Sequence, residues 1–125
     1  MNKMEFNIFD VFRDRQITNK NTSNNSKDIR VIKSRNISND GTEILNIKNY
    51  DTYIQLDILN NLVINKYTNL DNVYLTPNMT YNPRVCLKPK GVAVNGSVAI
   101  LIPKDDFRLT KEDKKLIYGY LMRII

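Results

Sequence analysis

Between Pro77 and Arg84 the chain places Asn78, Thr80, Tyr81, Asn82 and Arg84 almost side by side. An amide, a hydroxyl, a phenol, a second amide and a guanidinium suit hydrogen bonding to bases and phosphates, and Pro77 and Pro83 restrict the backbone carrying them. Side chains of the same kind recur earlier. Arg13, Arg15 and Gln16 form a compact polar group, and Lys33, Arg35 and Asn36 stand where a β-branched segment runs out. Arg, Asn and Gln can pair two hydrogen bonds with a guanine or adenine edge in the major groove, each good pair worth about 1–3 kcal/mol of discrimination. Lys88 and Lys90, on either side of Pro89, suit point charges on phosphate, as do Lys104 and Arg108. Tyr81 is open to two readings, packing on sugar or base, or filling a half-buried core position.

Other chemistries are narrowed by what the chain lacks. It has no histidine and one cysteine, Cys86. A Ser-His-Asp triad, a Cys-His dyad and zinc held by imidazole or several thiolates are thereby excluded. The four glycines, Gly41, Gly91, Gly96 and Gly119, are too far apart for a phosphate-cradling loop. Asp105-Asp106 and Glu112-Asp113 read as a turn and a helix start, where acids are favoured by the helix dipole, and no metal site is assigned. The formal net charge of +6 favours a polyanionic partner. No stretch of about 20 apolar residues offers a membrane span, no long apolar leader opens the chain, and a single cysteine suits a reducing cytosol. The expectation is a cytoplasmic protein without a membrane partner.

The elements that must hold these residues can be read in order. One domain is expected from 125 residues. An apolar cluster before Arg13 docks a short strand or helical turn, and residues 19–28 form a polar surface loop. Ile29–Lys33 reads as a strand, and the Asn39-Asp40-Gly41 turn returns Glu43–Ile47 beside it as a hairpin. Leu56, Leu59, Leu62, Val63, Tyr67 and Leu70 predict one helix over 56–70. Short strands follow at 73–75 and 84–87. Val98–Ile102, an unbroken apolar run between the turn residues Asn95-Gly96 and Pro103, reads as a central strand buried on both faces. Thr110 and Asp113 cap a last helix whose apolar face runs to Ile125, which suggests a segment that continues in a larger parent. The expected fold class is mixed α/β (α+β), a small twisted mixed sheet with two main helices.

Four of these blocks together resemble a known family. Phe12-Arg-Asp-Arg-Gln-Ile-Thr18, Arg30-Val-Ile-Lys-Ser-Arg-Asn-Ile37, Pro77-Asn-Met-Thr-Tyr-Asn-Pro-Arg84 and Asn95-Gly-Ser-Val-Ala-Ile-Leu-Ile-Pro103 look like successive blocks of one domain. It is the target-recognition domain of adenine-specific DNA methyltransferases in type II restriction–modification systems, related to the recognition halves of type I specificity subunits. The resemblance implies double-stranded DNA as partner, together with a catalytic methyltransferase domain or subunit. It also implies that S-adenosylmethionine and the Asn/Asp-Pro-Pro-Tyr/Phe catalytic loop belong to that other domain of the parent enzyme. Tyr81-Asn-Pro-Arg84 lacks the second proline and the stacking aromatic of that loop, so no cofactor and no catalytic residue are expected in this chain. Two rival readings remain: a protein-interaction module of a restriction or anti-restriction assembly, and a small metal-dependent nuclease built on Lys104, Asp105 and Asp106.

Overall fold

The computed structural model of the chain describes residues 9–78 and 84–104. These form a small mixed α+β fold of seven short strands in two sheets, with two one-turn helices. The first sheet has the order β1 (Phe9–Phe12), β7 (Val98–Pro103), β4 (Tyr74–Pro77) and β5 (Cys86–Leu87), all antiparallel. β7 lies inside it, paired with β1 (Phe12 opposite Ile100) and with β4 (Leu75 opposite Ile100). Its residues Val98 to Leu101 are buried without alternation, as an apolar run with no polar face requires.

The second sheet is mixed. β2 (Ile29–Ile32) runs antiparallel to β3 (Thr52–Ile54) and parallel to β6 (Ala93–Val94). One buried cluster draws on both sheets, with Val31, Ile32, Ile54 and Val94 from one and Leu75, Val98 and Ile100 from the other. The expectation of a single sheet is thus replaced by two that share a core.

Two local expectations are corrected. β2 finds its antiparallel partner in β3, not in 43–47. Across the Asn39-Asp40-Gly41 turn, where Gly41 takes a φ of 73°, only Ile37 and Ile44 form a bridge. The helix expected over 56–70 is broken into α1 (Leu56–Leu59) and α2 (Asn65–Thr68). After the first turn the backbone closes i→i−3 bonds, such as Leu62 N–H to the Leu59 carbonyl and Tyr67 N–H to the Ile64 carbonyl. Asparagines at 60, 61 and 65 favour this: their side chains compete for local hydrogen bonds, as Asn61 Nδ2 does with the Asp57 carbonyl at 3.0 Å. The tighter winding rotates the buried face. Ile64 is buried, while Leu56 and Val63 are 57% and 51% exposed. The helix expected after Thr110 lies outside the described residues.

Lys88 sits inside this fold, 1% exposed. Its Nζ donates to the carbonyls of Thr68 (2.8 Å), Pro89 (2.9 Å) and Leu70 (3.1 Å), and so ties the end of α2 to the turn after β5. Carbonyls at a helix C-terminus have no partner within the helix, and a buried ammonium with three donors satisfies them. The assignment of Lys88 to DNA phosphate is therefore corrected, since its charge is spent inward.

Burial pushes the Lys88 pKa down to about 8, against the opposing pull of Asp71. A base whose pKa is lowered on folding binds fewer protons than in the unfolded chain, so stability rises with pH from about 8 towards the ordinary lysine value. Lys88→Met removes both this pH dependence and the three donors. Chemical denaturation is expected to show a loss of about 2–4 kcal/mol at neutral pH. Wild type should also gain on the variant as pH is raised above about 8. An equal stability at neutral pH would show that the three carbonyls do not need the ammonium.

Candidate functional site

The turn Asn95-Gly96-Ser97, which starts β7, gathers three of the four polar blocks directly. Asn95 is held by its own N–H on the Ile32 carbonyl (3.1 Å), and its Oδ1 accepts the Ser97 N–H (2.9 Å) and hydroxyl. Asn78 meets the turn twice, through Nδ2 to the Gly96 carbonyl (2.7 Å) and N–H to the Ser97 carbonyl (3.0 Å). Ser34 N–H donates to Ser97 Oγ at 3.1 Å. On another side the Asp14 carbonyl lies so close to Gly96 that a Cβ there would stand 2.4 Å from it. Only glycine allows that approach.

Asp14 is buried between two exposed arginines, Arg13 and Arg15. Its Oδ2 accepts the N–H groups of Gln16 (3.1 Å) and Ile17 (2.7 Å), fixing the bend after β1. Among the described residues no hydrogen-bond partner meets the buried Oδ1. Gln16, expected to read a base, uses its Oε1 to accept the Val63 N–H at 2.8 Å and its carbonyl to accept Asn21 Nδ2. It braces the break between α1 and α2 while its residue remains exposed.

The block 33–37 begins with Lys33 and turns through a one-turn 3-10 helix, Ser34–Asn36. Asn36, also expected to read a base, is 0% exposed. Its Oδ1 accepts the Lys33 N–H (3.0 Å), and its Nδ2 donates to the Leu45 carbonyl (3.0 Å) and Asp51 Oδ1 (2.7 Å). Arg84 is likewise turned inward, 7% exposed, with Nε on the Ile37 carbonyl and a terminal nitrogen on the Ser34 carbonyl, both at 3.1 Å. Both readings are corrected for one reason. A short, irregular backbone leaves carbonyls such as those of Ile37 and Leu45 outside the regular ladders, and buried amide and guanidinium donors satisfy them.

Arg35 emerges from the same turn and is exposed. Its Cζ stands 4.8 Å from the centroid of the Tyr50 ring, and its backbone N–H donates to the Tyr50 hydroxyl at 3.3 Å. Lys33 Nζ lies 3.8 Å from the same centroid and donates to the Tyr50 carbonyl. Partial burial lowers the Lys33 pKa; Asp51 opposes that shift and Arg35 adds to it. Sequence reasoning missed Tyr50, Asp51 and Arg30. Asp51 collects the Asn36 amide, the Ile47 N–H (3.0 Å) and the Arg30 guanidinium (3.4 Å), while Arg30 also donates to the Leu45 carbonyl and Asn46 Oδ1. The one signal in the sequence was the Asn49-Tyr50-Asp51 run, where Asn49 takes a left-handed φ of 65°.

Beside Tyr50 opens a polar groove of about 990 Å³, lined among others by Ser23, Asn24, Asn46, Lys48 and Tyr53. Lys90 is exposed on the turn whose Gly91 N–H donates to the Thr68 carbonyl at 2.9 Å. Thr80, Tyr81 and Asn82 lie outside the described residues. Among the described residues no group of three potential metal ligands occurs. Arg13, Arg15, Arg35 and Asn78 are thus organised about one turn, with Lys33 and Tyr50 supporting Arg35.

Gly96→Ala is expected to force the Asp14 carbonyl away and to separate the 13–16 block from the rest. Thermal or urea unfolding should register about 1–3 kcal/mol of destabilisation. Unchanged stability would show that the bend after β1 moves without resistance. No protein-family model matches the chain, and no curated protein matches it.

Proposed function

We propose that the chain is a sequence-specific double-stranded DNA recognition module of a restriction–modification adenine-N6 DNA methyltransferase. The catalytic domain or subunit of that enzyme would supply S-adenosylmethionine binding and methyl transfer. The observation that carries this reading is the gathering of the 13–16, 33–36 and 78 blocks around the 95–97 turn. Three exposed guanidinium groups, Arg13, Arg15 and Arg35, stand on that one assembly. Duplex recognition needs cations that neutralise phosphate and planar donors that meet base edges, placed on a rigid support. The net charge of +6 adds long-range attraction.

A separate observation favours the rival class. Leu56, Val63 and Val11 are large apolar side chains left in solvent, as on a surface that meets another protein. A protein-interaction module of a restriction or anti-restriction assembly would use such side chains, and a recognition module joined to a catalytic subunit would use them as well.

Fluorescence anisotropy with a labelled duplex distinguishes the two. Binding should weaken steeply between about 50 and 200 mM salt, with a log–log slope near −0.9 for each phosphate neutralised. Arg13→Ala combined with Arg15→Ala should lower affinity and flatten that slope. Absence of binding at low salt would eliminate DNA recognition and leave the interaction reading. Incubated with labelled S-adenosylmethionine and DNA, the chain is expected to transfer no methyl group; incorporation of label would show that the chemistry is carried here after all.

A further inference from the structure

Arg35 differs from the other exposed cations in how completely its root is held. The residues around it are bonded on every side: Ser34 N–H to Ser97 Oγ, Asn36 N–H to the Lys33 carbonyl (2.9 Å), and the Ser34 and Ile37 carbonyls to Arg84. Its own N–H is fixed on the Tyr50 hydroxyl, and its guanidinium lies against the Tyr50 ring. Tyr50 is fixed in turn, because its carbonyl takes Lys33 Nζ and its neighbour Asp51 binds Asn36, Ile47 and Arg30. With the ring as platform, the guanidinium is attracted by the ring quadrupole, and its own N–H groups donate to no described residue.

Such an arrangement fixes the backbone that carries Arg35 and restricts its side chain before any ligand arrives. A contact to phosphate gains little from that, since a mobile chain can follow a diffuse line of negative charge. A contact to a base edge gains much more, because two parallel hydrogen bonds demand a planar fork at a set position. On the DNA-recognition reading above, we infer that Arg35 reads a guanine of the target duplex through its O6 and N7 edge, with Tyr50 and Arg84 as the residues that position it. Arg84 acts here without touching DNA. It clamps the two carbonyls that open and follow the turn bearing Arg35.

The test is to equilibrate the chain with a pool of duplexes carrying a randomised central segment and to sequence the bound fraction. Wild type should enrich a motif containing a G·C position. Arg35→Lys keeps the charge but not the fork, and should lower the guanine preference at that one position by roughly 5- to 150-fold, leaving the other positions and the salt dependence unchanged. Tyr50→Leu and Arg84→Lys should flatten the same position, whereas Tyr50→Phe, which retains the ring, should keep most of the preference. Were either variant too unstable to assay, Arg35→Lys decides alone. A motif left intact by Arg35→Lys, weakened equally at all positions, or lost at an A·T pair would overturn the inference while leaving DNA recognition standing. A wild-type chain that binds without enriching any motif, or does not bind, would overturn the functional reading itself and the inference with it.

Discussion

The contact between the Asp14 carbonyl and Gly96, where no side chain can be accommodated, lets the bend after β1 settle on the turn that starts β7. The same three-residue turn accepts Asn78 from the end of β4 and Ser34 from the end of β2. The two sheets, which hydrogen-bond to different sets of strands, are thereby joined at one end by polar groups as well as through the shared apolar core. Segments far apart in sequence reach one place because β7 is an interior strand, and the ends of its neighbours β1 and β4 lie close to its own.

Cations in this protein divide by direction. Arg84 and Lys88 point inward and satisfy backbone carbonyls, and Arg30 does so at the 45–51 loop together with Asp51. Short strands and one-turn helices leave many carbonyls outside regular ladders, and an unpaired buried carbonyl is costly. A guanidinium or ammonium can serve two or three at once, which a neutral amide does less well. Arg13, Arg15 and Arg35 remain at the surface. The formal charge therefore overstates what is presented to a partner, and the inward set determines where the outward set stands.

Much of the plan was legible in one dimension. An apolar run such as Val98–Ile102 has no polar face to leave in water, so it had to be an interior strand. Asn95-Gly96 reads as a turn from its own residue types, which bound that run on its N-terminal side. The polar blocks were recognisable as functional candidates from side-chain chemistry alone, and Arg13, Arg15 and Arg35 keep the exposure that such a role needs.

Direction, pairing and winding were not legible. Arginine, lysine and asparagine have the same letter whether they face a phosphate or a buried carbonyl, and only the positions of unpaired carbonyls in three dimensions turned Arg84, Lys88 and Asn36 inward. The partner of β2 depended on whether 43–47 or 52–54 reached it, a question of loop path that local turn chemistry at Asn39-Gly41 does not decide. Residues 56–70 carry helical spacing, yet their asparagines tip the balance to three-residue turns, a difference of a few tenths of a kcal/mol per residue that packing resolves. Composition and spacing thus determined the buried strand and its turn. Tertiary structure alone decided which donors were needed to close the backbone and which remained at the surface, because that depends on the whole set of carbonyls left unpaired once the chain has folded.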